Sequence, residues 1–395
     1  MTISQFPPEL SLLTTCLRQF NREAPIDGFE KRIGKGMDWH LFFQLVERHR
    51  VAVQAYHSLK RLPQGHVDPH ILNRLKNQSG LVVQRSLAIT AQLASLAQQF
   101  DDARIPFLAF KGPIAGYDLY GNPGVRQMRD LDILVDPDQL TRAETVLRER
   151  GYHRTVPDFT MTARQFSYYK KNQHHFVYAH PEKTCVVELH WRLFNNPALL
   201  PMEYRTLWQH KREIKVGHQR VRTFGPEHTF LILSIHGSKH HWNRLFWLND
   251  IARLMRKEVI SDWSEFIERV KGMGLERMVA EAVFLSHRIL GTSLPEPVRQ
   301  IISGDSVIQK MIHRSLFLIA SPEGRIFPFS RAYWYIRWHK TYLVQNIRYH
   351  LWYAGMNAGP RLGDMKNVPL PDPLFPLYYL IRPFTWFNRF FIQRK

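Results

Sequence analysis

The apolar residues of this chain recur with a helical period at both ends and form short, strand-like runs in the middle. A periodic segment that follows Asp38 predicts a helix with that residue as its N-cap, and the residues from Val82 to Phe100 predict a second, longer helix. A loop with two prolines and a glycine lies between them at 63–69. No linker follows residue 100, so we expect residues 1–100 to form a helical region that packs as a cap on the centre of the chain.

Short apolar runs in residues 101–224 predict a mixed α/β domain. The run 105–110 ends at Lys111-Gly112-Pro113, and the run that follows a short helical segment carries two acids, Asp130 and Asp132. Further predicted elements are a helix over 137–150, a hairpin that joins 174–179 to 184–191, and a last strand at 215–224.

The helical period returns after residue 224 and continues to the C-terminus. We expect one long helix from His228 to Glu258, with Asp250 on roughly the same side as a face formed by His236, Lys239, His240 and Asn243. The predicted fold class is therefore α+β, a small mixed sheet flanked by N-terminal (1–100) and C-terminal (225–395) helical regions.

Three carboxylates on two predicted strands form the strongest candidate site. Residues two apart on a strand share a face, so Asp130 and Asp132 point the same way. Glu188 lies in the middle of the apolar run CVVELHWR, and His190 shares its face. Adjacent buried carboxylates repel each other, and a divalent cation relieves that repulsion. The alternative is a structural salt-bridge cluster with the nearby Arg126 and Arg129.

The residues K-G, R-x-x-R-D-L-D-I-L-V and V-E-L-H-W resemble the uncharacterised nucleotidyltransferase family of the DNA polymerase β superfamily. The resemblance covers about residues 38–256 and includes a downstream K-H pair, Lys239 and His240. It implies a nucleotidyltransferase-type sheet, an NTP as substrate and one or two Mg²⁺ or Mn²⁺ ions held by Asp130, Asp132 and Glu188. One departure from the wider superfamily is the turn, which is Lys111-Gly112-Pro113 and not Gly-Ser or Gly-Gly.

The predicted activity is metal-dependent transfer of an NMP from an NTP, such as ATP, to a hydroxyl or phosphate of an unknown acceptor, with release of pyrophosphate. Asp130, Asp132 and Glu188 are the predicted catalytic residues. The predicted nucleotide-binding residues are Lys111, Gly112, Arg126, His190, Lys239 and His240.

Several of these residues have simpler alternatives. Lys111-Gly112 can be a tight turn with a solvated lysine, and Asp250 can be a helix-packing partner instead of a group on the acceptor side. His236 and His240 have the spacing of a zinc pair, but HGSKH lacks the glutamate of the metalloprotease motif. For the whole chain, the alternative is a non-catalytic basic protein that binds nucleic acid or an anionic membrane surface.

Composition limits the partners and the compartment. Lys and Arg number 54 against 34 Asp and Glu, a net charge of +20 that favours a phosphorylated or polyanionic acceptor. Two cysteines, Cys16 and Cys185, argue against a disulfide partner and, with no predicted signal peptide or spanning helix, favour a cytoplasmic location. The aromatic and basic C-terminal region, ending in TWFNRFFIQRK, predicts either a helical bundle or peripheral contact with a membrane.

Overall fold

A five-stranded mixed sheet forms where the central apolar runs were predicted to be strands. A computed structural model describes residues 5–21, 29, 33, 36–183, 185–321 and 330–391, with only the backbone of 386 and 388–391. The strands of this sheet are β1 (Phe107–Phe110), β2 (Asp130–Val135), β3 (His153–Val156), β4 (His175–Ala179) and β5 (Val186–His190). Their spatial order is β1-β2-β5-β4-β3, in which β2 and β5 run parallel at the centre and the other neighbours are antiparallel. The predicted α+β class is confirmed.

Alternation along the two central strands divides their side chains between two cores. Leu131, Ile133, Val187 and Leu189 pack in one core against helix α4 (Pro69–Asp102). Leu134 belongs to a second core, on the opposite face, that is built mainly from the N-terminal and C-terminal helices. The acids of β2 and β5 therefore lie on the same face as Leu134, toward the second core, and not on the face that packs against α4.

The N-terminal region is helical as predicted, but one predicted helix is divided and another begins at Pro69 instead of Val82. The helices are α1 (Pro8–Asn21), α2 (Trp39–His49), α3 (Ala52–Leu59) and α4. Asp38 caps α2 through its side chain, which accepts a hydrogen bond from the Leu41 amide. The predicted segment is divided because Arg50 ends α2 in the left-handed conformation, with φ 57°.

The region between the sheet and the C-terminal helices contains more strands than predicted. Helices α5 (Gly112–Tyr120), α6 (Leu140–Glu149), α7 (Ala163–Asn172) and α8 (Tyr204–Gln209) connect the strands. The single strand predicted at 215–224 was wrong: β6 (Lys211–Val216) and β7 (Gln219–Phe224) form a separate two-stranded sheet. Gly217 allows the hairpin between them because its φ is 62°.

The single helix predicted from His228 to Glu258 was also wrong, because a tight turn divides it into α9 (Pro226–Lys239) and α10 (Leu245–Arg256). His241 and Trp242 have positive φ angles of 59° and 49°, and the buried Trp242 ring folds back onto Gly237. A Cβ atom at Gly237 would lie 2.2 Å from that ring. The sequence contains no proline or glycine at the break itself, so the pattern of residues continues across it.

Eight further helices complete the described chain. They are α11 (Trp263–Gly272), α12 (Glu276–Leu285), α13 (Glu296–Gly304), α14 (Ser306–Ala320), α15 (Arg331–Tyr342), α16 (Ile347–Ala358), α17 (Leu362–Asn367) and α18 (Leu377–Phe391). None of the described helices is long and apolar enough to cross a bilayer. In the predicted membrane-contacting segment TWFNRFFIQRK, residues 392–395 lie outside the described residues, and only the backbone is described at 386 and 388–391. Cys16 and Cys185 are both buried free thiols.

Candidate active site

The parallel pairing of β2 with β5 positions the central acids of the site. Asp132 is directly opposite Glu188, and Asp130 is opposite Val186. Side chains at paired positions of neighbouring strands lie on the same face, so the two carboxylates face each other across the strand pair. Ligand atoms of Asp132, Glu188 and His190 lie within 4.8 Å of one another, a spacing at which they could hold a metal ion.

His190 joins the two carboxylates. Its Nε2 atom lies 3.3 Å from Oδ1 of Asp132 and 3.3 Å from Oε2 of Glu188. Burial alone would lower the pKa of His190, but hydrogen bonds and the charges of both acids raise it above its ordinary value. The raised pKa favours the positively charged form of His190 between the two acids.

Lys111 supplies a second internal cation at the same acid. Its Nζ atom lies 2.9 Å from Oδ1 of Asp132. Burial acts to raise the pKa of Asp132, but Lys111 and His190 hold it well below its ordinary range. The solvated lysine that was the alternative for the Lys111-Gly112 turn is therefore wrong, since this lysine points inward.

The backbone at this turn explains how Lys111 reaches the site. Lys111 and Gly112 have consecutive positive φ angles of 53° and 36° where β1 leads into α5. A Cβ atom at Gly112 would lie 3.3 Å from the carbonyl oxygen of Asp130. A lysine with a positive φ is uncommon and costs of order 1–3 kcal/mol. The turn therefore positions Lys111 over the acids at the expense of backbone strain.

Asp130 is the one of the three acids whose negative charge has no close cationic partner among the described side chains. Burial and the negative charges of Asp132 and Glu188 raise its pKa to about 6, against the opposing effect of Lys111 and Arg126. Among the described side chains, no Lys, Arg or His nitrogen lies within 4.0 Å of its carboxylate. A carboxylate in this environment gains from an added cation, so the donor set is suited to a hard divalent ion such as Mg²⁺.

Arg126 lies close to this site but contacts a different acid. Its Nε atom donates to Oδ2 of Asp250 at 2.9 Å, and both side chains are buried. Tyr120 donates to the other oxygen of Asp250 and accepts from Asn249, each at 2.8 Å. The prediction that Asp250 lies on the same side of one helix as His236 was wrong, because the two residues lie on different helices. The role of Arg126 in phosphate binding stays a prediction.

Several arginines flank Asp130 on this side. The guanidinium carbons of Arg126 and Arg50 lie 5.2 and 5.5 Å from the centre of the Phe246 ring. Burial and the charges of Arg244 and Arg129 lower the pKa of Arg50 to about 9, while Asp130 opposes that shift. Because Arg50 and Arg244 lie far apart in sequence and on the edges of different helices, the hydrophobic pattern did not indicate them.

Two histidines that sequence reasoning left unassigned lie on the other side of the acids. Ligand atoms of His174, His175 and His190 also lie within 4.8 Å of one another. His175 Nε2 is 4.0 Å from Oε2 of Glu188. Burial and the neighbouring charges of Lys239 and His175 keep the pKa of His174 well below its ordinary value, so it is neutral. The adjacent pair of histidines at the start of β4 was the available signal.

Lys239 and His240 end helix α9 close to the acids. The Nζ atom of Lys239 lies 5.6 Å from the centre of the Phe194 ring. Burial and the charge of Lys111 lower the pKa of Lys239, and the charge of Glu188 opposes that shift. His240 is exposed, with its ring 4.7 Å from that of His236 and 5.3 Å from that of Trp247. Within the described part of the chain, no third His, Cys, Asp or Glu joins His236 and His240 in a metal-sized group.

The small mixed sheet agrees with the nucleotidyltransferase-type fold that the resemblance implied. The sequence model of a family described as "Uncharacterised nucleotidyltransferase" matches residues 35–291. Because this match covers more than half of the 395 residues, the chain belongs to that family. The resemblance noted from the sequence is thereby confirmed.

Other comparisons add little to this assignment. No curated protein matches the chain. A solved structure, an antigenic nucleotidyltransferase-like protein from Paracoccidioides brasiliensis, is similar with 16% sequence identity and a TM-score of 0.30, over 53% of this chain and 96% of that one. A likeness at this score carries no argument about function.

Proposed function

We propose that this protein is a divalent-metal-dependent nucleotidyltransferase that moves an NMP from an NTP to an acceptor and releases pyrophosphate. The observation that carries the proposal is the facing pair Asp132 and Glu188, with Asp130 beside them as an acid that lacks a near cation. The family assignment supplies the reaction class. Metal dependence, the nucleotide and the acceptor are parts of the proposal.

Asp130, Asp132 and Glu188 would hold Mg²⁺ or Mn²⁺. When bound, such an ion supplies charge neutralisation at the phosphates and a lower pKa for an attacking hydroxyl. The three acids lie on one face of the paired strands β2 and β5, where they would hold such an ion. Lys111 would move its contact from Asp132 to a phosphate oxygen, because an ion at Asp132 competes with it for the same carboxylate.

The transfer itself is an in-line displacement at phosphorus. An acceptor oxygen forms a bond to the α-phosphorus, the bond from that atom to the bridging oxygen of pyrophosphate breaks, and pyrophosphate leaves with the electron pair. The proton of the acceptor hydroxyl passes to Glu188, with His190 holding that carboxylate in position from 3.3 Å. Lys111, Gly112 and Lys239 would bind the negative charge of the triphosphate.

Labelled NTPs test the proposal. The full-length protein is incubated with each α-³²P-labelled NTP, Mg²⁺ or Mn²⁺, and a fractionated cell extract. Transfer of label to a macromolecule or small molecule, lost on chelation of the metal and in Asp132→Asn, supports it. Label that stays in nucleotide under all of these conditions, although the protein is folded, counts against it.

A further inference from the structure

A cavity of about 520 Å³ lies beside the acids, between the sheet and the C-terminal helices. We call it the C-terminal cavity. Helix α7 and the loop after β5 form one wall, and helices α15 to α17 form the other. Its volume is in the range of pockets that bind small molecules, roughly 300–1,000 Å³. More than half of its lining residues lie beyond residue 291, where the family match ends, so the family does not define it.

The charge of this cavity is positive and uncompensated. Lys239, Lys340 and Arg361 line it, and none of the described residues that line it is acidic. Neither lysine has an acidic partner within 4.0 Å among the described residues. Two partly buried ammonium groups that repel each other without a carboxylate are costly to maintain in a folded protein. The arrangement becomes favourable when an anion enters.

The pKa values of the lysines agree with this arrangement. Burial, followed by the charges of Lys111 and Lys340, lowers the pKa of Lys239 to about 8. Burial also lowers the pKa of Lys340, as do the charges of Arg337 and Arg361. Contact with an anion would raise the pKa of each lysine toward its ordinary value and so favour the charged form.

The remaining walls are suited to a polar organic molecule. Tyrosine rings and asparagine amides lie beside the lysines, and they can stack on or hydrogen-bond to a sugar or a base: Tyr168, Tyr353, Asn172, Asn195 and Asn357. The two walls are tied together, because the Asn196 amide donates to the carbonyl of Tyr349 at 3.2 Å.

Short contacts connect the cavity to the acids. Tyr169, in the wall, donates from its hydroxyl to the carbonyl of His175 at 3.0 Å. His175 in turn lies 4.0 Å from Glu188. Lys239 lines the cavity, and its pKa responds to the charge of Glu188. Glu188 is not among the lining residues, and the cavity wall is linked to its carboxylate through Tyr169 and His175.

We infer that the C-terminal cavity binds a small phosphate-bearing molecule through Lys239 and Lys340, and that this molecule is a substrate of the transfer. The second part rests on the proposed function. The phosphate can belong to the donor triphosphate or to a phosphorylated acceptor, and both sources present the same chemistry to the lysines.

Calorimetric titration of the full chain with pyrophosphate in EDTA tests the inference without turnover. We expect the wild type to bind, and Lys239→Gln and Lys340→Gln each to weaken binding by about tenfold to hundredfold, as for loss of one charge-assisted contact. Lys310→Gln is the matched control, because it removes one exposed lysine from α14, outside the cavity lining. Absence of binding by the wild type, or wild-type affinity in a variant that combines Lys239→Gln with Lys340→Gln, overturns the inference.

Melting temperature separates a binding role from a structural one. Without pyrophosphate, each Gln variant should melt no lower than the wild type, since it removes charge repulsion and no ion pair. With saturating pyrophosphate, the wild type should gain more than either variant by mass action. The inference is contradicted by a variant that melts well below the wild type without pyrophosphate and whose melting temperature rises as much as that of the wild type when pyrophosphate is added.

Competition identifies the source of the phosphate. If ATP in EDTA displaces pyrophosphate from one shared site, the lysines bind the donor triphosphate. If pyrophosphate still binds when ATP and Mg²⁺ are saturating, the lysines bind the acceptor, and Lys239 is then not one of the triphosphate contacts proposed above. Both results support a phosphate site. Asp132→Asn should bind pyrophosphate in EDTA with wild-type affinity, so the phosphate site can be confirmed even if the protein transfers no nucleotide. If the enzyme is active but the lysine variants bind pyrophosphate as tightly as the wild type, the phosphate site is wrong and the proposed function is not.

Discussion

The Nζ atom of Lys111 lies 2.9 Å from Oδ1 of Asp132, so a lysine neutralises the acid that is expected to bind metal. The metal and Lys111 therefore compete for one carboxylate. We predict that Lys111→Met binds Mn²⁺ about tenfold more tightly, equivalent to about 1.4 kcal/mol, because the competing charge is gone. The same variant should transfer NMP more slowly, since it lacks a phosphate contact.

Calorimetry with Mn²⁺ and the labelled-NTP assay measure the two effects of Lys111→Met. Lys310→Met, on the exposed side of α14, should change neither quantity. Equal or weaker Mn²⁺ affinity in a folded Lys111→Met protein would show that Lys111 does not compete with the metal.

The buried pair of Arg126 and Asp250 should be a main source of stability between α10 and the loop before β2. Asp250→Asn leaves the buried Arg126 without a counter-charge, and we expect a loss of about 3–5 kcal/mol in the free energy of unfolding. Urea denaturation measures this loss. The exposed pair Lys366–Asp158, with 2.6 Å between its atoms, is the control. Lys366→Gln should cost much less than Asp250→Asn, because water screens an exposed pair. Similar losses in the two variants would contradict the structural role.

Gly237 permits the turn between α9 and α10. A Cβ atom there would lie 2.2 Å from the Trp242 ring, so Gly237→Ala should destabilise the fold by about 1–3 kcal/mol. Gly272, at the end of α11, has nothing within 4 Å of an added Cβ atom. Gly272→Ala should be neutral or slightly stabilising, because alanine favours helix. Thermal melting compares the two, and an unaffected Gly237→Ala protein would contradict the packing described.

The lowered pKa of Lys239 predicts that anion binding takes up a proton. Its pKa of about 8 means that a large fraction of the free protein carries neutral Lys239 above that pH. An anion favours the charged form, so affinity should fall as pH rises through 8, with proton uptake on binding. The charged and titratable groups around Lys239 are Lys111, Lys340, Glu188, His174, His236 and His240.

Calorimetry at about pH 8.5 in two buffers of different ionisation enthalpy counts the protons taken up. Pyrophosphate has titrations of its own, so the relevant quantity is the difference between the wild type and Lys239→Gln. Identical proton uptake in the two proteins would show that Lys239 does not titrate on binding.

The local part of this site could be predicted from the sequence, and the long-range part could not. Alternation along β2 and β5 was enough to place Asp130, Asp132 and Glu188 on one face of neighbouring strands. The contact of Arg126 with Asp250 depends on how α10 packs, which a periodic pattern does not specify. The proximity of Lys340 to Lys239 likewise depends on the tertiary fold, since the two lie on separate helices.

The predicted helix boundaries were wrong where the packing of a buried side chain determines the backbone conformation. Trp242 and His241 adopt the left-handed conformation because the Trp242 ring fills the space above Gly237. The helical period continues through them, so the sequence predicted a single helix. The inward Lys111 is a second case, in which a positive φ at a non-glycine residue directs the side chain toward Asp132.

Metal-dependent transfer by the wild type, compared with Asp132→Asn, tests the central claim most directly. Asn keeps the volume of Asp132 but removes the charge that would bind the ion, so we predict that transfer of labelled NMP falls by more than about 100-fold, with an unchanged circular dichroism spectrum. Transfer at the wild-type rate by a folded Asp132→Asn protein would contradict the account.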